Sequence, residues 1–558
     1  MKIDRRQALA LLGLGAAAPA VAQEVQDGGP GGVAFAYGVA SGDPLHDRVI
    51  IWTHAIAFNP PIALREVDVT WEVALDEDFR RMVRRGVVRS TQERDGTVKV
   101  DVTGLKPGTD YFYRFRSADD VSDTGRTRTL PKGATKDVVL AVASCTLYPN
   151  GYFNAYQAIA DLPRVDAVLH LGDYIYEYGG PGSYGMSSAV AGERPHDPPH
   201  ECVTLADYRR RHAQYKADPQ LQAAHARAPW IVVWDDHETA NDSFSTGAQN
   251  HQPETEGDWN GRKAVALKAY YEWMPIREPA AGRSQAEAAM RSFHFGDLAS
   301  LIMVETRLTA RDRQLNYERD MPAAGGEAAV ASFRAKLADP ARRMMGPAQE
   351  AWIEAELARS VKVGHAWQVL GNQVVMARVG PYSPKRDLTP DQIAQIPERL
   401  KSRLAQYETL SALGLPVALD MWDGYPADRD RLYELVETAG ARPIVVSGDS
   451  HSFWANELHT GAGRRVACEF GTTGITSPGA GELVPGLNAG VPIAKANKEV
   501  VFNDQVSKGF VLLTLTRDAA RADMVAVSTI VAKDFTTATV KSFRVTPEGK
   551  GLPALSEV

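Results

Sequence analysis

The segment VDAVLHLGDYIY, residues 165–176, decides the fold of this 558-residue chain. Its largely apolar first half is typical of a strand that is buried on both faces of a sheet. A glycine ends this run, and Asp173 and Tyr176 follow it closely. Because sites in α/β sheets form just past the carboxyl ends of strands, the segment predicts a layered α/β domain with its chemistry at this edge.

The same arrangement recurs elsewhere in the chain, where apolar runs predict further buried strands that lead into metal-binding residue types. These runs, with the residues after them, are 138–144 with Cys145, 230–234 with Asp235-Asp236-His237-Glu238, 365–370 with Asn372, and 443–447 with Asp449 and His451. A further strand is predicted at 298–305, and helices are predicted near 152–162, 204–216, 347–360, 392–412 and 427–439. Alternation of strands and helices favours one α/β domain.

Cys145, Asp173 and Tyr176 are candidate metal ligands. A lone cysteine is more often a small buried apolar residue, and no histidine pattern supports a cysteine nucleophile, so a thiolate ligand is the preferred interpretation. Asp173 follows a glycine that permits close backbone approach, and its two oxygens suit a bridge between two cations better than a turn. Tyr176 offers a phenolate, which favours a trivalent ion such as ferric iron; a packing tyrosine is the alternative.

The run from Asp235 to Glu238 places titratable side chains directly after an apolar strand. Burying such groups is costly unless they are paired or metal-bound. A solvated loop explains the charge but not its placement. We predict that Asp236 binds a metal, that His237 contacts the phosphate or the leaving group, and that Asn241 helps to orient the substrate.

Asp449 and His451 form a second candidate pair, after the run at 443–447. Residues at i and i+2 of an extended loop point the same way, so each side chain can bind one of two cations. A lone histidine is more often structural, but its pairing with Asp449 makes a ligand the preferred interpretation. The strand-end residues together predict one site assembled from five separate segments.

The region from 33 to 131 has a different periodicity. Apolar residues alternate with polar ones in several short runs, for example at Val67, Val69, Trp71, Val73 and Leu75. Such runs, separated by turn residues, indicate an all-β sandwich. The stretch from Leu105 to Tyr111 is similar to the tyrosine corner of immunoglobulin-like and fibronectin-like sandwiches. No cluster of chemically active residues occurs here, so this region is expected to frame the site.

The N-terminus, residues 1–22, is interpreted as a signal peptide. Arg5 and Arg6 precede a short apolar run at 8–18, and Ala20-Val21-Ala22 resembles a cleavage site. The paired arginines indicate export by the twin-arginine machinery, with an ordinary secretory signal as the alternative. The apolar run is shorter than the roughly 20 residues that cross a bilayer. The sequence therefore predicts a periplasmic or secreted protein without a membrane span.

Charge, length and cysteine content limit the possible partners, folded units and disulfide bonds of the protein. A formal net charge of −7 without a long basic run argues against a stable nucleic-acid partner. The length is enough for two folded units. The chain has three cysteines, so at least one is unpaired. A bridge between Cys202 and Cys468 stays open, because the sequence gives no geometry for it.

The order of these motifs resembles the calcineurin-like metallophosphoesterase superfamily, and within it the PhoD-type alkaline phosphatases. The motifs are Cys145, Gly172-Asp173-Tyr174-Ile175-Tyr176, Asp235-Asp236-His237-Glu238 and Gly448-Asp449-Ser450-His451. The resemblance covers nearly the whole chain after the signal. It implies an N-terminal immunoglobulin/fibronectin-like sandwich at 33–131, followed by an α/β four-layer metallophosphoesterase domain at 134–545.

The resemblance also implies the cofactors Fe3+ and Ca2+. The common superfamily pattern has histidine or asparagine where this chain has Cys145, Asp236 and Asp449. Two nitrogen ligands are thereby replaced by oxygen ligands, which shifts the preference of one metal site toward a hard cation such as calcium. Iron is then expected at Cys145, Tyr176 and His451, with Asp173 as the bridge. Asn372 falls roughly where the superfamily has a histidine ligand. Small phosphate esters are the implied substrates, hydrolysed without a covalent enzyme intermediate.

Other functions stay open at this point. A phosphodiesterase or phospholipase D-like enzyme would use the same metal core, because pocket width and lid segments decide between monoesters and diesters. The insertions near 179–203 and 310–345 are the candidate lid segments. A catalytically inactive exported binding protein with this fold is a second alternative, although the full ligand set argues against it. A serine-nucleophile alkaline phosphatase is disfavoured because neither Ser144 nor Ser447 lies in a recognisable nucleophile motif.

Overall fold

Two large β-sheets share one hydrophobic core in the computed structural model of the chain. The structure describes residues 33–57, 66–180, 182–186, 188–321, 326–483, 488–547 and 554–558. The predicted signal peptide lies outside these residues. The loops that carry the predicted metal ligands all follow strands of these two sheets.

The larger sheet has ten strands. Their order across the sheet is Ser556–Glu557, Thr537–Val545, Ala520–Val527, Lys508–Thr516, Asp137–Ala143, Ala167–His170, Trp230–Val232, Val39–Gly42, Arg48–His54 and Thr97–Thr103. Asp137–Ala143, Ala167–His170 and Trp230–Val232 are parallel neighbours. Their carboxyl ends therefore meet at one edge of the sheet, as the strand-end argument requires.

The second sheet has seven strands. Their order is Arg291–Phe295, Ala299–Met303, Trp367–Gly371, Pro443–Ser447, Arg465–Gly471, Phe453–His459 and Val500–Asp504. Trp367–Gly371 and Pro443–Ser447 run parallel side by side. A parallel bridge between Ser144 and Gly474 links the loops that leave the two sheets, so the carboxyl ends of both sheets approach each other.

Alternate residues of the seven-stranded sheet face two different cores. Val369 and Ile444 belong to the core that the two sheets share, whereas Leu370 and Val445 pack with helix residues such as Leu432. Side chains of a strand point alternately to its two faces. Because both faces are covered, the strands are apolar throughout, which is the pattern that identified them in the sequence.

The N-terminal β-region consists mainly of two sheets that pack on each other. A five-stranded sheet contains Gly125–Arg128, Asp110–Ser117, Val67–Ala74, Met82–Ser90 and Asp120–Val121, and a separate short pair joins Val33–Ala34 to Ile56–Ala57. The opposing strands belong to the ten-stranded sheet, and Ile51 from that sheet shares one core with Tyr113 from the other. Gly42 pairs with Trp230, so this region shares a sheet with the rest of the chain.

The tyrosine at the predicted corner makes the expected contact. The backbone N–H of Lys106 donates a hydrogen bond to the hydroxyl of Tyr111 at 2.8 Å. Such a bond from a tyrosine back to the chain a few residues upstream ties a sandwich corner to the following strand. The alternating residues from Val67 to Leu75 also lie in or against the core of this region.

Helices pack on both large sheets. The described α-helices are Asn154–Ala160, Leu205–Lys216, Pro219–Arg227, Pro253–Glu256, Trp259–Trp273, Tyr317–Asp320, Gly326–Leu337, Pro347–Lys362, Pro384–Asp387, Pro390–Ala394, Lys401–Leu413, Pro426–Ala439 and Gly490–Ala496. Short 3-10 turns lie at Tyr148–Asn150, Glu287–Ala289, Glu398–Leu400, Trp422–Gly424 and Ala480–Leu483. None of the described helices is both long and apolar enough to cross a bilayer.

One helix prediction was wrong in its extent. The sequence suggested a continuous helix over 392–412, but the structure has Pro390–Ala394, a 3-10 turn at Glu398–Leu400, and then Lys401–Leu413. Pro397 lies at the break. Proline lacks the N–H that a helix needs, and it pushes the preceding residue out of the helical region, so the helix stops and restarts.

The cysteines do not form a disulfide. Cys145, Cys202 and Cys468 are all buried and free. Cys202 precedes helix Leu205–Lys216, and Cys468 lies within strand Arg465–Gly471. The Cys202–Cys468 bridge that the sequence left open is therefore absent from this structure.

Lys216, the last residue of helix Leu205–Lys216, is a buried lysine. Its Nζ lies 2.9 Å from Nε2 of His225 and 4.7 Å from the ring centroid of Trp52. Burial lowers the pKa of Lys216 well below its usual value. A contact with an aromatic ring contributes only about 0.5–2 kcal/mol, less than the several kcal/mol that desolvating an ammonium costs. Burial therefore favours the neutral form of the Lys216 amine in the folded protein.

Replacement of Lys216 by methionine should stabilise the protein, and more so at neutral than at alkaline pH. The unfolded chain takes up a proton at Lys216 below a pKa of about 10.4, whereas the folded chain does not, so wild-type stability falls by about 1.4 kcal/mol per pH unit from there down to the folded pKa. The Lys216→Met protein has no amine at this position, so its stability does not fall in this way as the pH is lowered. Denaturant unfolding at pH 7.0 and 9.5 measures the difference in unfolding free energy between Lys216→Met and the wild type. A difference that is the same at both pH values would contradict a neutral Lys216.

Candidate metal centre

Four loops bring most of the predicted ligands together at the carboxyl ends of the two sheets. Asp173 lies at the middle, because its carboxylate belongs to all three groups of described side chains whose ligand atoms lie within 4.8 Å of one another. These groups are Cys145 with Asp173 and His451; Asp173 with Asp236 and His237; and Asp173 with Asp235, Asp236 and Asp449. The side chains are fully or largely buried. The convergence that the sequence predicted is therefore present for these residues.

The backbone at the site adopts a conformation that most residues avoid. Cys145, Asp173, Asp449 and His451 have φ angles of 61°, 57°, 59° and 55°. Left-handed backbone costs a non-glycine residue of order 1 kcal/mol or more, and such strain gathers where function needs a particular side-chain direction. Each of these residues comes directly or almost directly after a buried strand, so the turn redirects its side chain into the site.

Gly172 and Glu238 fix the loop that carries Asp173. A Cβ atom at Gly172 would lie 2.3 Å from the backbone nitrogen of Asp235, so only glycine permits this close approach. The carboxylate of Glu238 accepts hydrogen bonds from the backbone N–H groups of Asp173, Tyr174 and Asp235 at 3.1, 2.6 and 2.8 Å. Glu238 therefore holds two ligand loops in register and has no free oxygen for a metal in this arrangement.

Tyr176 adds a phenol to the thiol of Cys145 and the imidazole of His451 in the first group. The hydroxyl of Tyr176 donates to Oδ2 of Asp173 at 3.0 Å and lies 3.3 Å from Nε2 of His451. Burial raises the pKa of Cys145 and of Tyr176 well above the usual values. Burial also lowers the pKa of His451 to about 3, which leaves a neutral imidazole able to bind a metal. The thiol and phenol become ligands only if a cation stabilises their anions.

The third group is a cluster of carboxylates. Asp173 Oδ1, Asp235 Oδ2 and Asp236 Oδ1 are buried without a hydrogen-bond partner among the described residues. Burial, with the neighbouring carboxylates, raises the pKa of Asp173 and of Asp449 well above the usual value. Buried anions with unused lone pairs are costly unless they are paired or bind a cation. The donor set thus fits a hard cation that prefers oxygen ligands.

Arg307 is a buried cation at the edge of this cluster. Its guanidinium makes ion pairs with Asp235 and, at 2.8 Å, with Asp420, and its Nη2 lies 3.8 Å from Asp236 and 3.7 Å from Asp449. Nη2 itself has no hydrogen-bond partner in the described part of the chain. Burial raises the pKa of Asp236, but the charges of His237 and Arg307 outweigh it and lower that pKa below its usual range. Carboxylate oxygens of Asp173, Asp235 and Asp236 stay without a hydrogen-bond partner among the described residues even beside Arg307, so the cluster can accept added cations.

His237 is held by a neighbouring carboxylate. Nδ1 of His237 lies 2.7 Å from Oε2 of Glu177, and its ring centroid lies 4.1 Å from that of Tyr176. Glu177 also accepts from the backbone N–H of Asn241 at 2.7 Å. Burial lowers the pKa of His237, but Asp236, Glu177 and Asp173 outweigh it and raise it well above its usual value. Because Nδ1 is hydrogen-bonded to Glu177, Nε2 is the ring nitrogen that stays available to contact a substrate.

Two predicted residues have other partners. Asn241 accepts a hydrogen bond from the hydroxyl of Tyr178 at 2.9 Å and donates to Gln249 at 2.9 Å. Asn372 accepts from the indole N–H of Trp422 at 3.1 Å and donates to the carbonyl of Val374. Their amide groups are thus engaged by the protein, and a substrate role for Asn241 and a ligand role for Asn372 stay predictions.

Sequence reasoning missed several residues at the site. Glu177 directly follows Tyr176, and Arg307 comes shortly after strand Ala299–Met303, so the strand-end rule was a signal for both. Asp420 and Tyr184 lie in irregular segments without any signal. The hydroxyl of Tyr184 lies 3.2 Å from Nδ1 of His451 and donates to the carbonyl of Pro478 at 3.0 Å, so the segment near 179–203 does reach the site.

Comparisons with known proteins agree with this geometry. Residues 140–524 match the family model described as PhoD-like phosphatase, and residues 20–131 match its N-terminal domain model. The chain is 34% identical to alkaline phosphatase D of Bacillus subtilis (strain 168) over 502 residues, which cover 88% of this chain and 77% of that protein. The solved structure of PhoD is similar with a TM-score of 0.76 and 32% identity, covering 94% of this chain and 92% of that one.

Proposed function

This chain belongs to the PhoD-like phosphatase family, and we propose that it hydrolyses phosphate monoesters with the help of bound metal ions. Its family makes it a phosphoric ester hydrolase. The observation that carries the metal dependence is the convergence of Cys145, Asp173, Asp236, Asp449 and His451. Buried carboxylate oxygens without partners at the same place support it further.

The first and the third of these groups of side chains suit two different cations. Cys145, Tyr176 and His451, with one oxygen of Asp173, would hold Fe3+, because thiolate and phenolate ligands stabilise the ferric ion. Asp236 and Asp449, with Asp173 and the adjacent Asp235, offer only oxygen and would hold Ca2+. Bound cations supply charge that neutralises the phosphate and lowers the pKa of the attacking water. Asp173 is the residue that both groups share.

Residues of the chain perform the remaining steps. His237 donates a proton from Nε2 to the leaving alkoxide, while the contact of Nδ1 with Glu177 keeps the ring oriented. Nη2 of Arg307 lies 3.8 Å from Asp236 and 3.7 Å from Asp449, has no hydrogen-bond partner among the described residues, and offers a hydrogen bond to a phosphate oxygen. The burial of these groups excludes water, so each charge acts more strongly than it would in solvent.

Diester hydrolysis, as in a phosphodiesterase or a phospholipase D-like enzyme, is the alternative substrate preference. Elemental analysis of the purified protein, together with assays on one monoester and one diester, tests both. We expect iron and calcium in the protein, a visible colour from thiolate and phenolate bound to ferric iron, and loss of activity on chelation that returns on reloading. Full activity in protein shown to be free of metal would refute the metal dependence.

We further propose that the chain is exported by the twin-arginine machinery and acts in the periplasm or outside the cell. The support is Arg5 and Arg6 before the apolar run at 8–18. We also propose the domain limits 33–131 and 134–545, with an immunoglobulin-like sandwich and a four-layer metallophosphoesterase core. The Tyr111 corner bond supports the first, and helices packed on both large sheets support the second.

A further inference from the structure

A pocket of about 420 Å³ opens beside the candidate metal centre. Its size lies within the roughly 300–1,000 Å³ that is usual for small-molecule sites. Asp242 and Asp420 line it, and both also contact the centre: the backbone N–H of Asp242 donates to Oδ2 of Asp236, and Asp420 pairs with Arg307. The pocket is therefore the neighbouring space into which the alcohol half of a bound phosphate ester would extend.

The pocket offers unpaired positive charge. Arg313 and Arg403 line it, both are exposed, and neither guanidinium makes a hydrogen bond or an ion pair with another residue in the described ranges. Arg319 also lines it but pairs with Asp320 at 2.7 Å. The two free guanidiniums can each bind a phosphate or carboxylate through two parallel N–H groups.

The acidic residues of the pocket differ in how strongly they oppose the binding of an anion. Asp420 is neutralised by Arg307 and Arg311, at 2.8 and 2.6 Å. Glu318 is exposed and makes no ion pair with another described residue, so it opposes the binding of an anion. Removal of Glu318 therefore gives a variant whose effect should be opposite in sign to removal of the arginines.

Gln314 contributes a polar atom without a partner. Its Nε2 donates to the backbone carbonyl of Asp242 at 3.1 Å, which fixes the side chain beside Asp242 in the lining of the pocket. Its Oε1 is buried and has no hydrogen-bond partner among the described residues. A buried acceptor without a donor costs about 1–3 kcal/mol, and a hydroxyl group of a ligand would supply that donor.

We propose that this pocket binds the alcohol half of the substrate and favours phosphate esters of polyols that carry a second anionic group. Gln314 would accept from a hydroxyl of the polyol, and Arg313 and Arg403 would bind the remote anion. The inference rests on the proposed function, because the scissile phosphate must lie at the metal centre for the alcohol to reach the pocket.

The test compares fructose 6-phosphate with fructose 1,6-bisphosphate, which differ by one remote phosphate. We expect the metal-loaded protein to prefer the bisphosphate by about 10-fold in kcat/KM at low salt, mainly through KM, since two charge-assisted contacts are added. The preference should shrink as salt screens the exposed charges. The double variant Arg313→Gln/Arg403→Gln should bring the ratio close to the statistical factor of about 2.

Two further variants keep the inference falsifiable. Arg399→Gln removes an exposed arginine of the same segment that does not line the pocket, and it should leave the preference unchanged. Glu318→Gln should increase the preference. Equal efficiency on both substrates, or a preference that survives the double variant, would overturn the inference while leaving the proposed function intact. Failure to hydrolyse either substrate or any simple phosphate ester would refute the proposed function and the inference together.

Discussion

Asp173→Asn is expected to remove both cations and to lower kcat/KM by about 10³–10⁴-fold. Asp173 is the residue that all three groups of candidate ligands share, and its Oδ1 has no other partner among the described residues. Loss of cations that contribute several kcal/mol of transition-state stabilisation corresponds to this factor. Asparagine tolerates the left-handed φ of 57° at this position, so the variant should fold.

The measurement for Asp173→Asn is metal content by elemental analysis beside the rate of hydrolysis, with circular dichroism to check the fold. Asp95→Asn is a matched control, because Asp95 also has a left-handed φ, of 55°, and contacts Trp273 rather than the site. The control should keep wild-type metal content and rate. A folded Asp173→Asn protein with the full complement of both metals would disprove the bridging role.

His237→Gln is expected to keep both metals but to lower kcat by about 10³-fold for alkyl phosphates. The reason is the loss of the proton donor to the leaving alkoxide, which a glutamine amide cannot replace. For 4-nitrophenyl phosphate, whose leaving group needs no proton at neutral pH, the loss should be below about 10-fold. The dependence on the leaving group separates proton donation from a general effect on structure.

The readouts for His237→Gln are kcat for the two substrate types and elemental analysis of the same sample. His200→Gln changes an exposed histidine that contacts Asp207, away from the site, and it should leave both quantities unchanged. Equal losses for alkyl and 4-nitrophenyl phosphates would exclude proton donation. A loss of metal instead would make His237 a ligand, which its position beside Asp173 and Asp236 also permits.

The electrostatics of the site explain why cations fit it. Asp173, Asp235, Asp236 and Asp449 converge at a buried place where Arg307 is the nearby guanidinium. Burial raises the pKa of Asp235 to about 6 even with Arg307 beside it. Carboxylates that are held together against their mutual repulsion are stable as anions only with added positive charge. Strained backbone and desolvated carboxylates thus occur together at this place, and such costly features are typical of a binding centre.

Local pattern predicted the strands well, because a strand that is covered on both faces must be apolar along its whole length. The run at 443–447 became strand Pro443–Ser447, and the run at 138–144 became Asp137–Ala143. The helix expected over 392–412 was less accurate, since Pro397 interrupts it. A proline breaks the helix locally even where the periodicity of the surrounding residues favours a continuous helix.

The sequence by itself determined which residues can bind metals, since thiol, phenol, imidazole and carboxylate groups follow buried strands at Cys145, Tyr176, His451 and Asp173. It did so because a strand's end is a local property, written in consecutive residues. Only the tertiary structure decided which of these groups meet, and it also places the amide of Asn372 against the indole of Trp422. The pairing of Glu177 with His237, the pairing of Arg307 with Asp420 and the pocket around Gln314 likewise depend on contacts between segments far apart in the chain, which no local pattern encodes.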